Sequence, residues 1–305
     1  MITTSPVDFL AAVETLTPLR NPRTTARAAF LVAPAANELA AESARDNHYM
    51  RMDAGFDATR ALAQHAALAQ ALRADVPVVT FPGDPANPDA MFPNNVFATA
   101  PGRFIVARMR HAVRQREAER GDIRGFFRDM LHYEEIDLSR GDRGVAELTG
   151  SLVIDHARAV GYCGLSERCD MHGARAMHDA FGLRLTFCFE LAEGEYHTNV
   201  VMASLAGRAV VLAPDGFAGP AVPRAIASAF DDRALWLSAE QKHAYAANAI
   251  TLSPNRVWMS DCAAASLDDA QRTALADWGF AVSAVDLDEI EKAGGSLRCC
   301  VGEIF

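Results

Sequence analysis

Five times along the chain a β-rich run, an amphipathic stretch and a further short β-rich run follow one another, and this cadence most restricts the fold. The first unit opens on AAFLVAP (Ala28 to Pro34), takes helical spacing from Thr59 and closes on VPVVTFP from Val76. The second begins with NNVFATAPGRFIVARM, a hairpin turning at Pro101-Gly102, and continues into a charged helix expected over Val113 to Leu131 and the strand YEEIDLS. GSLVIDHARAVGYCGLS and HTNVVMASLAGRAVVLAP open the third and fourth units as hairpins, the latter turning at Ala206-Gly207. AITLSPNRVWMS, SLDDAQRTALADWG and FAVSAVDL supply the fifth. The repeat is one of pattern, since the units share few residues. A doubly wound α/β sheet also alternates strands and helices, but it needs no hairpin before each helix. The pattern therefore predicts one α/β domain over residues 1–305, built of ββαβ units around a centre.

Composition excludes several functions. Net charge is -10, so bulk electrostatics invite neither nucleic acid nor an anionic membrane, and an anionic substrate needs a local cluster of arginines. No stretch approaches the ~18 apolar residues of a membrane span. The N-terminus lacks the basic-then-apolar pattern of a secretion signal, which makes the cytoplasm the expected location. Motifs for phosphate loops, dinucleotide binding, zinc proteases and serine hydrolases are absent.

Three polar clusters interrupt this framework. PDAMFPNNVF places Asp89, Asn94 and Asn95 before an apolar strand, where taken alone a plain turn is the better explanation. EYHTNVVM carries Glu195, His197 and Asn199 at alternate positions, so on an extended chain all three share a face. GGSLRCC, from Gly294 to Cys300, sets two cysteines beside glycines that let a backbone approach closely. Read as a strand, it directs Cys299 and Cys300 to opposite faces, so that one at most enters a pocket. A cysteine nucleophile works through its thiolate and needs a nearby base or cation, for which His197 is the candidate. Cys163, Cys169 and His172 form a partial metal set without a fourth ligand or C-x-x-C spacing.

Taken together the clusters resemble the guanidine-modifying enzyme superfamily of arginine deiminases, dimethylarginine dimethylaminohydrolases, succinylarginine dihydrolases and amidinotransferases. The likeness runs from FLVAPAA to RCCVGEIF. It implies a five-bladed α/β propeller of ββαβ units, with Cys299 as nucleophile, His197 as acid and base, and Glu147 of ELTGS as the acidic member holding substrate NH groups. Leu148 stands where the superfamily usually has glycine. GLSERC resembles the segment whose arginine binds the substrate carboxylate, which implies Arg168. REAER offers Arg116 and, more weakly, Arg120. No metal or organic cofactor is implied, a small arginine- or citrulline-derived substrate is the expected partner, and a homodimer is admitted. Where deiminases grip a cation with two aspartates, this chain has Asn95 and Asn199, with Asp89 retained six residues before Asn95. Amides donate as well as accept, so the expectation is a hydrolase favouring a ureido group such as that of citrulline. A guanidino deiminase or dihydrolase, an amidinotransferase and a non-catalytic binding propeller are the alternatives.

Overall fold

The computed structural model describes residues 1–141 and 144–305. In chain order the strands are β1 (Ile2–Thr3), β2 (Ala28–Val32), β3 (Val78–Phe81), β4 (Phe97–Ala100), β5 (Arg103–Val106) and β6 (Glu134–Asp137). Then come β7 (Leu152–Asp155), β8 (Val160–Leu165), β9 (Leu185–Glu190), β10 (Met202–Leu205), β11 (Ala209–Leu212) and β12 (Ala234–Trp236). The last four are β13 (Ile250–Ser253), β14 (Arg256–Ser260), β15 (Ala281–Val285) and β16 (Gly302–Ile304).

They form five small sheets, ordered β16-β2-β3, β4-β5-β6, β1-β9-β8-β7, β10-β11-β12 and β13-β14-β15. Each sheet repeats one motif, an antiparallel pair whose second strand is joined by a parallel third. The mixed α/β fold is therefore not one continuous parallel sheet. In four sheets the antiparallel pair is a local hairpin. In the remaining one the C-terminal strand β16 supplies the partner of β2, with Gly302 opposite Phe30. A Cβ on Gly302 would sit 2.2 Å from the Phe30 ring, so only glycine allows that pairing.

Local chemistry explains the elements. The β10–β11 hairpin turns through Ala206 (φ 50°) and Gly207 (φ 68°), a left-handed pair closed by the Arg208 N–H donating to the Leu205 carbonyl at 2.9 Å. The helix Met171–Phe181 starts where Asp170 accepts the Gly173 N–H at 2.8 Å and stops at left-handed Gly182. The helix expected over Val113 to Leu131 is broken into four pieces: Ala112–Gln115, a 3-10 turn Arg116–Glu119, Gly121–Gly125 and a π turn Phe126–Met130. Arg120, extended at ψ 96°, causes the main break, and its side chain binds the Pro82 carbonyl and Asp122 instead of a helical neighbour.

Aromatic rings fill the space between sheets and helices. Phe127 stacks on Phe104 with centroids 4.4 Å apart and meets Phe30 edge-on at 5.2 Å, tying the first two sheets together. Burying each such ring contributes about 1.5–3 kcal/mol. One end of this scaffold positions polar side chains, because the chain enters the first strand of four sheets through a short helical turn. These turns are Pro93–Asn95 before β4, Leu148–Ser151 before β7, Thr198–Val200 before β10 and Leu297–Cys300 before β16.

Candidate active site

These turns place Asn95, His197 and Cys299 on one cavity of about 290 Å³, together with Asp89, Arg114, Arg168 and Tyr196. Cys299 sits on a 3-10 turn, not on a strand, and its N–H donates to the Ser296 carbonyl at 3.0 Å. The two-faced strand argument for the cysteines therefore fails, yet the turn separates them all the same: Cys299 lines the cavity, and Cys300 packs fully buried in the core. The glycines answer to crowding. At left-handed Gly294 (φ 79°) a Cβ would meet Asn47 Nδ2 at 2.4 Å, and at Gly295 one would meet the Phe92 ring at 2.9 Å.

His197 does not share a strand face with Glu195 and Asn199, because it caps the turn Thr198–Val200 and the strand begins only at Met202. Its Nε2 lies 2.9 Å from Glu147 Oε2. A carboxylate there accepts, so the proton resides on Nε2, and Nδ1 keeps its lone pair with no hydrogen-bond partner among the described residues. Gly150 makes room for this ring, as a Cβ would come 2.8 Å from His197 Nδ1 and 2.5 Å from Asn95 Oδ1. Glu147 is wholly buried behind the histidine. It accepts from the Arg110 N–H at 3.0 Å and from Arg168 Nη1 at 3.1 Å. Burial pushes its carboxyl up, but the Arg168 guanidinium and His197 outweigh this and hold it below the usual carboxylate range. Glu147 is not among the cavity-lining residues, and in this state it orients the imidazole.

The remaining expected residues divide. Arg168 reaches the cavity but is engaged: Nε and Nη2 bind Asp46 at 2.8 and 2.6 Å, and Nη2 also binds the Ser43 carbonyl at 3.1 Å. Asp89 is buried at the cavity wall, accepting from Ser43 Oγ at 2.5 Å, and burial raises its carboxyl despite Arg114 nearby. Asn95 lines the cavity and its Oδ1 has no partner among the described residues. Asn94 is fully buried off the cavity, with its carbonyl accepting from Thr149 Oγ1. Asn199 lies on the far side of Cys299, its Nδ2 3.7 Å from Sγ and 3.1 Å from the Thr149 carbonyl. It faces a second, wider opening of about 690 Å³ that also holds Arg298 and Glu303. That opening is the larger of the two, but Cys299 and His197 line the smaller.

Arg116 and Arg120 are absent from both cavities. Arg116 is exposed and binds the Ala86 carbonyl at 3.2 Å. Arg114, two residues earlier, is buried instead. There Arg114 forks onto Glu117 at 2.9 and 2.9 Å and donates to the carbonyls of Asp89 and Phe92. The spacing of Arg114 and Glu117, three residues apart, was the available sequence signal. Ser43, Asp46, Asn47 and Asn248 carried none, since long stretches of sequence separate them from the clusters. Cys163 and Cys169 lie side by side with sulfurs 3.6 Å apart, and His172 is exposed.

A buried cysteine and a carboxylate-backed histidine on one small cavity, presented by repeated β-sheet units, are what the resemblance to the guanidine-modifying enzymes implied. The family model described as N,N dimethylarginine dimethylhydrolase, eukaryotic, matches residues 33–305, and the chain belongs to that family. It is thereby related to hydrolases of guanidino C–N bonds. Among solved structures it resembles the N-terminal domain of ArgZ, a cyanobacterial arginine dihydrolase of the ornithine-ammonia cycle. The TM-score is 0.78 at 18% identity, covering 91% of this chain and 97% of that one. Unliganded AgrE matches with TM-score 0.78 and 18% identity over 91% of this chain, which spans 39% of that longer protein. A dimethylarginine dimethylaminohydrolase adduct matches at TM-score 0.68 and 23% identity, over 91% of this chain and 99% of that one. No curated protein matches the chain significantly.

Proposed function

We propose that residues 1–305 form one catalytic domain that hydrolyses a C–N bond at the guanidino carbon of an arginine-derived amino acid through a covalent bond to Cys299. The observation that carries this reading is the convergence of Cys299, His197 and two acceptors, Asp89 and Asn95, on one cavity. Burial raises the Cys299 thiol and lowers the His197 imidazole, so both rest neutral. As a guanidinium enters, the thiol proton passes to His197 Nδ1 and the sulfur adds to the central carbon. His197 then protonates the departing amine and the C–N bond breaks. Water, deprotonated by the same nitrogen, adds to the thiouronium carbon, and the sulfur leaves with a ureido product. Asp89 and Asn95 accept substrate N–H groups, and Arg114 and Arg168 bias that wall toward the substrate carboxylate.

A ureido substrate of the citrulline type is a second reading, supported by Asn95, whose amide can donate to a C=O as well as accept. The engagement of Asn199 beside Cys299 removes the second amide from that argument, and the buried Asp89 favours a cation. The sheets themselves read as blades of one propeller, since β4 packs beside β16 and β10 beside both β7 and β13.

Purified protein given arginine, N-methylated arginines, succinylarginine and citrulline separates these readings by ammonia or methylamine release and product mass. Turnover of a guanidino compound to a ureido product is expected. Ammonia from citrulline alone would move the assignment to the ureido reading, and no turnover of any of the four would overturn hydrolysis.

A further inference from the structure

The sulfur of Cys299 has no cationic side chain within hydrogen-bonding distance among the described residues; its side-chain polar contacts are two amides, and the Ser296 backbone N–H also faces it. Asn248 donates from Nδ2 to Sγ at 3.3 Å, and Asn199 approaches from Nδ2 at 3.7 Å. Asn248 does more than this single contact. Its Oδ1 accepts the Cys299 N–H at 3.3 Å, and its main-chain carbonyl accepts the Arg298 N–H at 3.3 Å. Its Nδ2 also donates to the Asn199 carbonyl at 2.9 Å, which links the turns that carry the cysteine and the histidine. The residue is fully buried, two positions before β13, so the fifth sheet's first strand is entered through it.

We propose that Asn248 is the positioning residue and principal hydrogen-bond donor of the nucleophile, fixing the Leu297–Cys300 turn with its oxygen and stabilising the Cys299 thiolate with its nitrogen. This rests on Cys299 being the nucleophile of the proposed hydrolysis. Among the described residues no ammonium, guanidinium or imidazolium meets the sulfur at hydrogen-bond range, so dipolar N–H groups must replace the water that a thiolate loses on burial. An amide held at both ends is suited to this, because it reorganises little when the charge forms. The surrounding titratable groups leave Asn248 this role. Arg298, the neighbour in sequence, turns to the Val301 carbonyl and Glu303. Burial keeps Tyr196, Tyr245 and Cys300 protonated. His197 lines the cavity, and its Nδ1, without a partner among the described residues, serves as the proton acceptor. Burial raises the thiol, and the Asn248 contact is the largest opposing influence.

The test is the Cys299 thiolate titration, read as the ultraviolet thiolate absorbance of wild type minus that of Cys299→Ser. Asn248→Ala removes the donor without adding charge, whereas Asn248→Asp keeps the shape and the oxygen that accepts the Cys299 N–H but sets a carboxylate beside the sulfur, whose repulsion raises the titration by itself. A hydrogen bond to a charged group is worth about 1.5–3 kcal/mol, so the Cys299 titration should move up by roughly one to two units. The thiolate fraction at neutral pH then falls about ten- to a hundredfold, with kcat following and KM little changed. Asn248→Ala is therefore the deciding variant, and Asn248→Leu, close to asparagine in shape and without a donor, is read where Asn248→Ala does not fold cooperatively. An unmoved or lowered Cys299 titration in a folded variant overturns the proposal. Because the titration needs no substrate, a failed substrate panel and a failed proposal are distinguishable.

Discussion

Replacing Glu147 by Gln tests how far the site depends on a buried carboxylate that lines no cavity. Glu147 has no solvent exposure, and three donors converge on it: the Arg110 N–H, Arg168 Nη1 and His197 Nε2. Glutamine preserves the shape but removes the charge. Arg168 keeps Asp46, so the guanidinium is not orphaned, yet breaking a buried pair costs about 3 kcal/mol at the low end of such losses. For a chain of this length that is a fall in melting temperature of roughly 5 °C. The larger effect is on His197. A glutamine amide can donate to Nε2 and so select the tautomer that carries its proton on Nδ1, where the base is needed. Loss of correctly placed acid-base catalysis lowers kcat by about 10²–10⁴-fold. The assay is kcat by amine release beside a thermal melt, with the substrate identified by the panel. The carboxyl of Glu147 is held below its unfolded value. Its stabilisation is therefore present above the unfolded carboxyl value, near pH 4.5, and is lost as pH falls through the lower folded value. The Glu147→Gln melt should accordingly depend less on pH in that acid range. A variant keeping more than about a third of wild-type kcat, well short of the expected loss, would refute the assigned role of Glu147.

Further outcomes follow from the same geometry. Cys299→Ala abolishes turnover, whereas Cys300→Ala keeps it and costs about 1 kcal/mol of stability from a small core cavity, read by denaturant unfolding. Gly150→Ala drives a methyl into Asn95 Oδ1 and the His197 ring, and kcat falls about a hundredfold while the fold survives. Arg114→Lys raises KM for the amino-acid substrate, and Arg116→Ala leaves KM unchanged and stability within about 0.5 kcal/mol; the reverse pattern would restore Arg116 to the site. His197 is lowered from 6.5 and Cys299 raised from 9.0, so kcat/KM holds a plateau across that interval, falling as His197 protonates below it and as Cys299 ionises above it. A narrow optimum inside the interval would contradict this.

The site was only partly legible in the chain. Cys299, His197, Asp89 and Asn95 stand in short clusters that a turn or a core strand also explains, and all four meet on the cavity. The reasons given for their orientation were those of extended strands, and the clusters proved to be tight turns. A two-residue period says nothing about a 3-10 turn, so the expected shared face of Glu195, His197 and Asn199 does not exist. Glu195 instead binds Lys242 and Tyr49. The stretch after Val113 reads as a solvated charged helix, yet the broken helix buries both Arg114 and Arg124, and of these Arg114 lines the cavity.

Periodicity by itself determined that β-hairpins, helices and further strands repeat, because alternation and helical spacing are local properties of neighbouring residues. It also marked the polar clusters, since Asn, His and Cys before an apolar strand stand out in one dimension. Tertiary structure alone decided that the last strand completes the first sheet, where Gly302 meets Phe30 across nearly the whole chain. It alone set Asn248 against Cys299 and Asp46 against Arg168. Those contacts are made between chain segments 51 and 122 residues apart, at distances where no sequence period operates and only the packing of whole sheets brings the atoms together.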